Sequence, residues 1–247
     1  MATFKTRISQ ISKKNGKIIL ANDYDSSVDN LEKKTIQNIK NLHPYLCAIK
    51  LNFHLLLPLG SKEISKINKT AHDYGLQTIA DIKLNDIGNT NKVTTEHLWN
   101  LGFDAVIANP IMGLDSLKQL VKSSHKENKG VITLCHMSAP EAKLSYDMDI
   151  TMGKKQQLYQ LFLDWAIISK VDGIVVGATF PKIIQYCNKK AGTKLDIYSP
   201  GIGTQGGSAK EVISAGTDYL IVGRTILNDK NPVIVSKELQ LQSFCKY

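Results

Sequence analysis

Eight short runs of β-forming residues recur along the chain, each separated from the next by a stretch of helical periodicity. The runs fall at 17–21, 47–51, 77–82, 105–108, 130–135, 173–176, 195–198 and 219–222. The helical stretches fall at 28–41, 62–74, 91–101, 114–123, 156–169, 181–190, 209–215 and 232–242, and Gly75, Gly102, Gly192 and Gly216 stand where helices should stop. Strands apolar on both faces and spaced by helices call for a parallel sheet covered on both sides. Eight such units can close into a (β/α)8 (TIM) barrel, the first expectation; an open doubly wound sheet is the alternative. The interval from Cys135 to Gly173 exceeds one loop and helix, so an extended βα loop on the catalytic face, of the kind that serves as a lid, is expected there.

The 247 residues contain no Pro/Gly/Ser-rich linker, and 43% are hydrophobic, enough for one core and a single domain over 1–247. The first sixteen residues are polar and basic and no apolar run approaches a membrane span, so a cytoplasmic protein without a membrane partner is expected. Cys47, Cys135, Cys187 and Cys245 lie far apart without a CxxC pair, which points to reduced thiols. A charge of +9, from 31 basic against 22 acidic residues, suits an anionic partner. The lysines are scattered as dyads with no aromatic platform between them, so a solvated surface is favoured over nucleic acid.

The strand ends carry the chemistry. "IILAND" delivers Asp23, "CAIKLN" delivers Lys50, and "ADIKLNDIGNT" delivers Asp81 and Lys83, two residues apart and so on one face of a regular strand. Such a pair is also a common structural ion pair, but two lysines and two aspartates at one barrel mouth raise the catalytic reading. The seventh run ends in "SPGIGTQGGSAKE", whose glycines free the backbone to approach an anion and whose Ser208 can cap the next helix. The eighth ends in "VGRTI", where Gly223 permits close approach and Arg224 offers a planar fork; loops after strands seven and eight are where barrels hold phosphate.

In order, "ILAND", "AIKLN", "ADIKLNDIGNT", "LCHMSAP", "SPGIGTQGG" and "VGRTI" resemble the orotidine 5'-monophosphate decarboxylases, in particular the compact archaeal type, over nearly the whole chain. The resemblance implies metal-independent decarboxylation of orotidine 5'-monophosphate to UMP, the last step of de novo pyrimidine biosynthesis, without a cofactor. It implies that Lys83 protonates C6, that Asp81 sits beside the departing carboxylate, and that Lys50 and Asp86 complete a Lys-Asp-Lys-Asp array. Asp86, Ile87 and Thr90 are implied to reach the neighbouring site of a homodimer. Asp23, Lys50 and Thr90 resemble ribose-hydroxyl partners, and Ser138 the reader of the pyrimidine amide edge. Pro200, Gly201, Gln205, Gly223 and Arg224 resemble the phosphate side, with Gln205 on a closing loop.

The motif Asp81-x-Lys83-x-x-Asp86 is shared with magnesium-dependent sugar-phosphate lyases, which carry a glutamate metal ligand where this chain has Lys50; these enzymes are the alternative reading. A silent phosphate-binding or nucleic-acid-binding protein is a third. The chain departs from the resemblance at Asn109, where many members show histidine, and His136 reads as a loop residue rather than an acid or base.

Overall fold

The computed structural model of the chain describes residues 2–24 and 28–245. Its strands are β1 (Ile18–Ala21), β2 (Ala48–Asn52), β3 (Gln77–Leu84), β4 (Ala105–Ala108), β5 (Gly130–His136), β6 (Asp149–Met152), β7 (Lys154–Gln157), β8 (Gly173–Val176), β9 (Asp196–Pro200) and β10 (Tyr219–Val222). All but β6 and β7 pair in parallel and close in the order β1-β10-β9-β8-β5-β4-β3-β2, so the (β/α)8 barrel is the fold and the open sheet is not. The eight runs read from sequence are these eight staves, displaced by at most two residues at an end. Closure has a direct cause: β1, β4, β8 and β10 are buried at every position, so no barrel face tolerates water and no edge is left to it.

The helices are α1 (Phe4–Asn15), α2 (Leu31–Leu42), α3 (Phe53–Leu56), α4 (Ser61–Asp73), α5 (Gly88–Asn100), α6 (Leu114–Lys126), α7 (Ala142–Ser145), α8 (Leu158–Ser169), α9 (Pro181–Ala191), α10 (Ala209–Ala215), α11 (Arg224–Leu227) and α12 (Pro232–Phe244). Among the described residues no helix is long and apolar enough to cross a membrane. Two features differ from expectation. The polar, basic opening segment is a helix: Thr3 caps α1 through the Thr6 N–H, and Phe4, Ile8 and Ser12 are buried at the spacing of one face. Phe4 lies so close under β5 that a Cβ on Gly130 would fall 2.3 Å from its ring. The long interval after β5 is not one loop but α7 followed by the antiparallel hairpin β6–β7. Its Asp149, Thr151 and Met152 are exposed, so periodicity for a buried face is missing there.

The floor of the barrel shows a recurrent device. In "FDAVIA", "VDGIVV" and "TDYLIV" an aspartate stands directly before a strand. Its carboxylate accepts the backbone N–H of the neighbouring strand: Asp104 from Thr78 at 2.9 Å, Asp172 from Val131 at 2.8 Å and Asp218 from Ile197 at 2.8 Å. These acids set strand register at the face opposite the site. Asp104 also accepts from His72 Nε2 at 2.8 Å and from Arg7 of α1 at 3.2 Å, so the helix that plugs the floor is tied to it.

Candidate active site

The catalytic-type side chains stand at the opposite rim, where each strand passes into its loop. Parallel register brings Ala21, Lys50 and Ile79 level across β1, β2 and β3, with Asn52 opposite Asp81 one pleat higher. Lys50 is 4% exposed, and its ammonium lies 2.8 Å from Asp81 Oδ2, 3.8 Å from Asp23 Oδ1 and within hydrogen-bond contact of Asn52 Oδ1. Lys83 Nζ takes the other oxygen, Asp81 Oδ1, at 2.9 Å. One carboxylate therefore bridges two ammoniums. Burial by itself pushes the Asp81 carboxyl up, but the charges and hydrogen bonds of Lys50 and Lys83 prevail and hold it below the usual carboxylate value.

Lys83 does not reach this place by the plain alternation read from sequence. The β3–β4 pairing skips between Ala80 and Leu84, and Lys83 takes φ 46°, in the left-handed region. Such a conformation costs a non-glycine residue about 1–3 kcal/mol, so the surrounding pairing must impose it. Four steps of β3 from Ala80 to Leu84 oppose two of β4 from Val106 to Ala108, so the surplus residues bulge outward and Lys83 turns toward Asp81. The Lys83 side chain stays 46% exposed.

Asp86 lies beyond β3 and is exposed; its carboxylate accepts the Ile87 N–H at 2.7 Å, and among the described residues it forms no ion pair with Lys83. Ile87 and Thr90 are also exposed, at the start of α5. Within one chain these three stand apart from the Lys50–Asp81–Lys83 cluster's hydrogen bonds. Asn109 Oδ1 accepts the Ile111 N–H at 3.1 Å, so at this departure the residue shapes its own loop.

The loops after β9 and β10 complete the rim. A cavity of about 70 Å³ is lined by Asp23, Lys50, Pro200, Gly201, Gln205, Gly223 and Arg224, joining the phosphate-type residues to the charged cluster. Gly201 has φ 98°, and a Cβ there would meet Gln205 Oε1 at 2.7 Å, so the Gln205 side chain folds back over it. Gly223 serves close approach: a Cβ would lie 3.0 Å from the Ala21 carbonyl and 3.1 Å from Asp23 Oδ2. Ser208 caps α10 as read from sequence, accepting from the Glu211 N–H. Arg224 is exposed, and among the described residues no salt bridge occupies it. Ser138 lies beside the same loop, since a Cβ on Gly201 would come within 3.2 Å of the Ser138 Cβ.

Three residues of the rim escaped sequence reasoning. Asn52 lies two positions after Lys50 and shares its face, a signal present in "AIKLN". Thr225 Oγ1 donates to the Ile202 carbonyl at 2.8 Å and accepts from the Thr204 N–H at 3.1 Å, tying the loops after β9 and β10 together. His136 is the last residue of β5 rather than a loop residue, and is wholly buried. Neither of these last two carries a local sequence signal.

A (β/α)8 barrel with a lysine–aspartate cluster at the strand ends, beside an exposed arginine and the glycines of the last two loops, has the make-up of a barrel enzyme for small phosphorylated substrates. Residues 16–239 match the Orotidine 5'-phosphate decarboxylase / HUMPS family, and the chain belongs to that family. It is 33% identical to orotidine 5'-phosphate decarboxylase of Pyrococcus abyssi over 223 residues, covering 90% of this chain and 96% of that protein. The structure of orotidine 5'-monophosphate decarboxylase from Methanocaldococcus jannaschii, solved with the inhibitor BMP, superposes with a TM-score of 0.78 at 28% identity, over 93% of this chain and 99% of that one. UMP synthase of Leishmania donovani has a TM-score of 0.86, but at 24% identity it speaks for the fold alone; 98% of this chain spans 56% of it.

Proposed function

We propose that this chain decarboxylates orotidine 5'-monophosphate to UMP, the reaction that completes pyrimidine nucleotide synthesis, as a carboxy-lyase without a metal. The observation that carries the reading is the Asp81 carboxylate held between Lys50 and Lys83 Nζ, next to the cavity of Gly201 and Arg224. Loss of CO2 from C6 leaves an electron pair in the ring plane, with no ordinary π system to accept it. An ammonium already oriented by Asp81 stabilises that developing charge more than it stabilises the intact carboxylate, and such a differential lowers the barrier. Lys83 then delivers its proton to C6.

Binding follows from the same rim. Asp23 Oδ1 is buried and among the described residues finds no hydrogen-bond donor, which suits a ribose hydroxyl shared with Lys50. Arg224, Gly223, Pro200 and Gly201 take the phosphate, Gln205 closes over it, and Ser138 reads the pyrimidine amide edge. Phosphate binding remote from C6 helps drive that closure and excludes water. Asp86, Ile87 and Thr90 enter the neighbouring site of a homodimer; in support, Ile87, Phe53, Leu57 and Ile111 are exposed apolar side chains on the loops after β2, β3 and β4. Lys50 stands where a metal-dependent lyase needs a carboxylate ligand, which disfavours the sugar-phosphate reading.

The test is to follow orotidine 5'-monophosphate absorbance with purified protein in chelator. Turnover is expected in the wild type and none in Lys83→Ala with an unchanged circular dichroism spectrum. Activity that requires added magnesium, or appreciable turnover by the variant, overturns the reading.

A further inference from the structure

Between Ser138 and α8 the chain makes an excursion through α7 and the hairpin β6–β7, and the buried His136 side chain joins it to the barrel. His136 closes β5 with no exposed surface, boxed by the rings of Tyr146, Tyr159 and Phe180 at centroid distances of 5.6, 5.8 and 4.4 Å. Its Nδ1 lies 2.9 Å from the Met137 carbonyl and its Nε2 lies 3.2 Å from Asp147 Oδ1, in the excursion. Carbonyls and ionised carboxylates only accept, whereas a neutral imidazole has a single N–H. Both contacts lie at hydrogen-bond distance, and a neutral imidazole donates to one of them at a time.

The second end of the pair bears on the site. Met137 precedes Ser138, whose carbonyl accepts from Thr179 Oγ1 at 2.9 Å, while the Gly177 N–H donates to the His136 carbonyl at 3.0 Å. A Cβ on Gly177 would lie 2.4 Å from the Ser138 Cα, so β5 and β8 touch here without slack. Asp147, His136, Met137 and Ser138 thus form one continuous line from the excursion to the rim.

We propose that His136 and Asp147 are a latch that fixes the 142–157 excursion to the barrel and thereby positions Ser138, making the pair positioning residues for nucleobase recognition. This rests on the reading of Ser138 as the contact to the pyrimidine edge. The latch predicts a selective defect: the base end of a ligand feels it and the ribose-phosphate end does not.

The experiment compares UMP and ribose 5-phosphate affinities, by calorimetry, in the wild type, Asp147→Ala and Asp147→Asn. Asp147→Ala is expected to bind UMP about tenfold more weakly, the size of one buried hydrogen bond, with ribose 5-phosphate unchanged. In Asp147→Asn the amide N–H donates to a neutral Nε2 while Nδ1–H still serves Met137, so UMP affinity should return to within about threefold of wild type. Equal UMP affinity in wild type and Asp147→Ala, equal losses for both ligands, or no recovery in Asp147→Asn each overturn the latch. A wild type that binds UMP no better than ribose 5-phosphate overturns the base contact itself, and the latch with it.

Discussion

Lys50, Asp81 and Lys83 show how a barrel keeps charge at its mouth. An unpaired buried ammonium at Lys50 would be costly, and breaking a buried pair by removing one partner typically costs about 3–5 kcal/mol. Asp81 meets that demand and still has an oxygen left to orient the more exposed Lys83. Under the proposed function, structural and catalytic roles coincide in Asp81 and separate in Lys83, where truncation should leave the fold intact. Arg224 is simpler, since it is exposed and among the described residues pairs with no carboxylate. Arg224→Ala should lower kcat/KM for the nucleotide roughly tenfold to a hundredfold, the range of one charge-assisted hydrogen bond, with little change in melting temperature. Steady-state kinetics check it, and an unchanged kcat/KM would remove Arg224 from the phosphate side.

At the level of elements, aspartates have opposite duties at the two ends of the strands. At the upper rim Asp23 lines the cavity and Asp81 bridges two ammoniums, whereas Asp104, Asp172 and Asp218 at the floor hold neighbouring strands in register. Burial pushes the Asp104 carboxyl up, but His72, the Thr78 N–H and Lys129 outweigh it and lower the value below 3.8. A carboxyl depressed in the folded state contributes stability that is full above its unfolded value and lost as pH falls through the folded one. Asp104→Ala should thus cost about 3 kcal/mol near neutral pH, and the gap to wild type should narrow below about pH 4. Urea unfolding at several pH values reads both; a gap that widened on acidification would contradict the sign. Asp196, raised by burial to about 6, works the other way and its burden is relieved as it protonates.

On the scale of the whole molecule, the barrel is plugged at its floor by α1 and left open at its rim, where Phe53, Leu57, Ile87 and Ile111 expose apolar side chains. If Asp86 serves the neighbouring site, two inactive variants should rescue each other. Mixing Lys83→Ala with Asp86→Ala and allowing subunits to exchange leaves half of the dimers mixed. Each mixed dimer has one site with both residues intact, so roughly a quarter of wild-type activity should return in a symmetric dimer. Activity that stays absent after confirmed exchange would place Asp86 in its own subunit's site or in none.

The eight staves, most of the surrounding helices and the placing of Asp23, Lys50, Asp81, Lys83 and Arg224 at strand ends could be read directly, because short continuous apolar runs, helix stops and strand-end charges are local properties of the chain. α1 was overlooked because its buried face, Phe4, Ile8 and Ser12, is thin within a basic helix. The excursion after β5 looks like loop in the sequence because a hairpin that buries little leaves no periodic trace. The left-handed turn at Lys83, the reach of Asn52 to Lys50 and the burial of His136 against Asp147 are set by residues far apart in sequence or by the pairing of a neighbouring strand. Sequence fixes which groups each strand carries to the rim; which of them touch is decided only when the strands close, since register and bulge depend on contacts between segments.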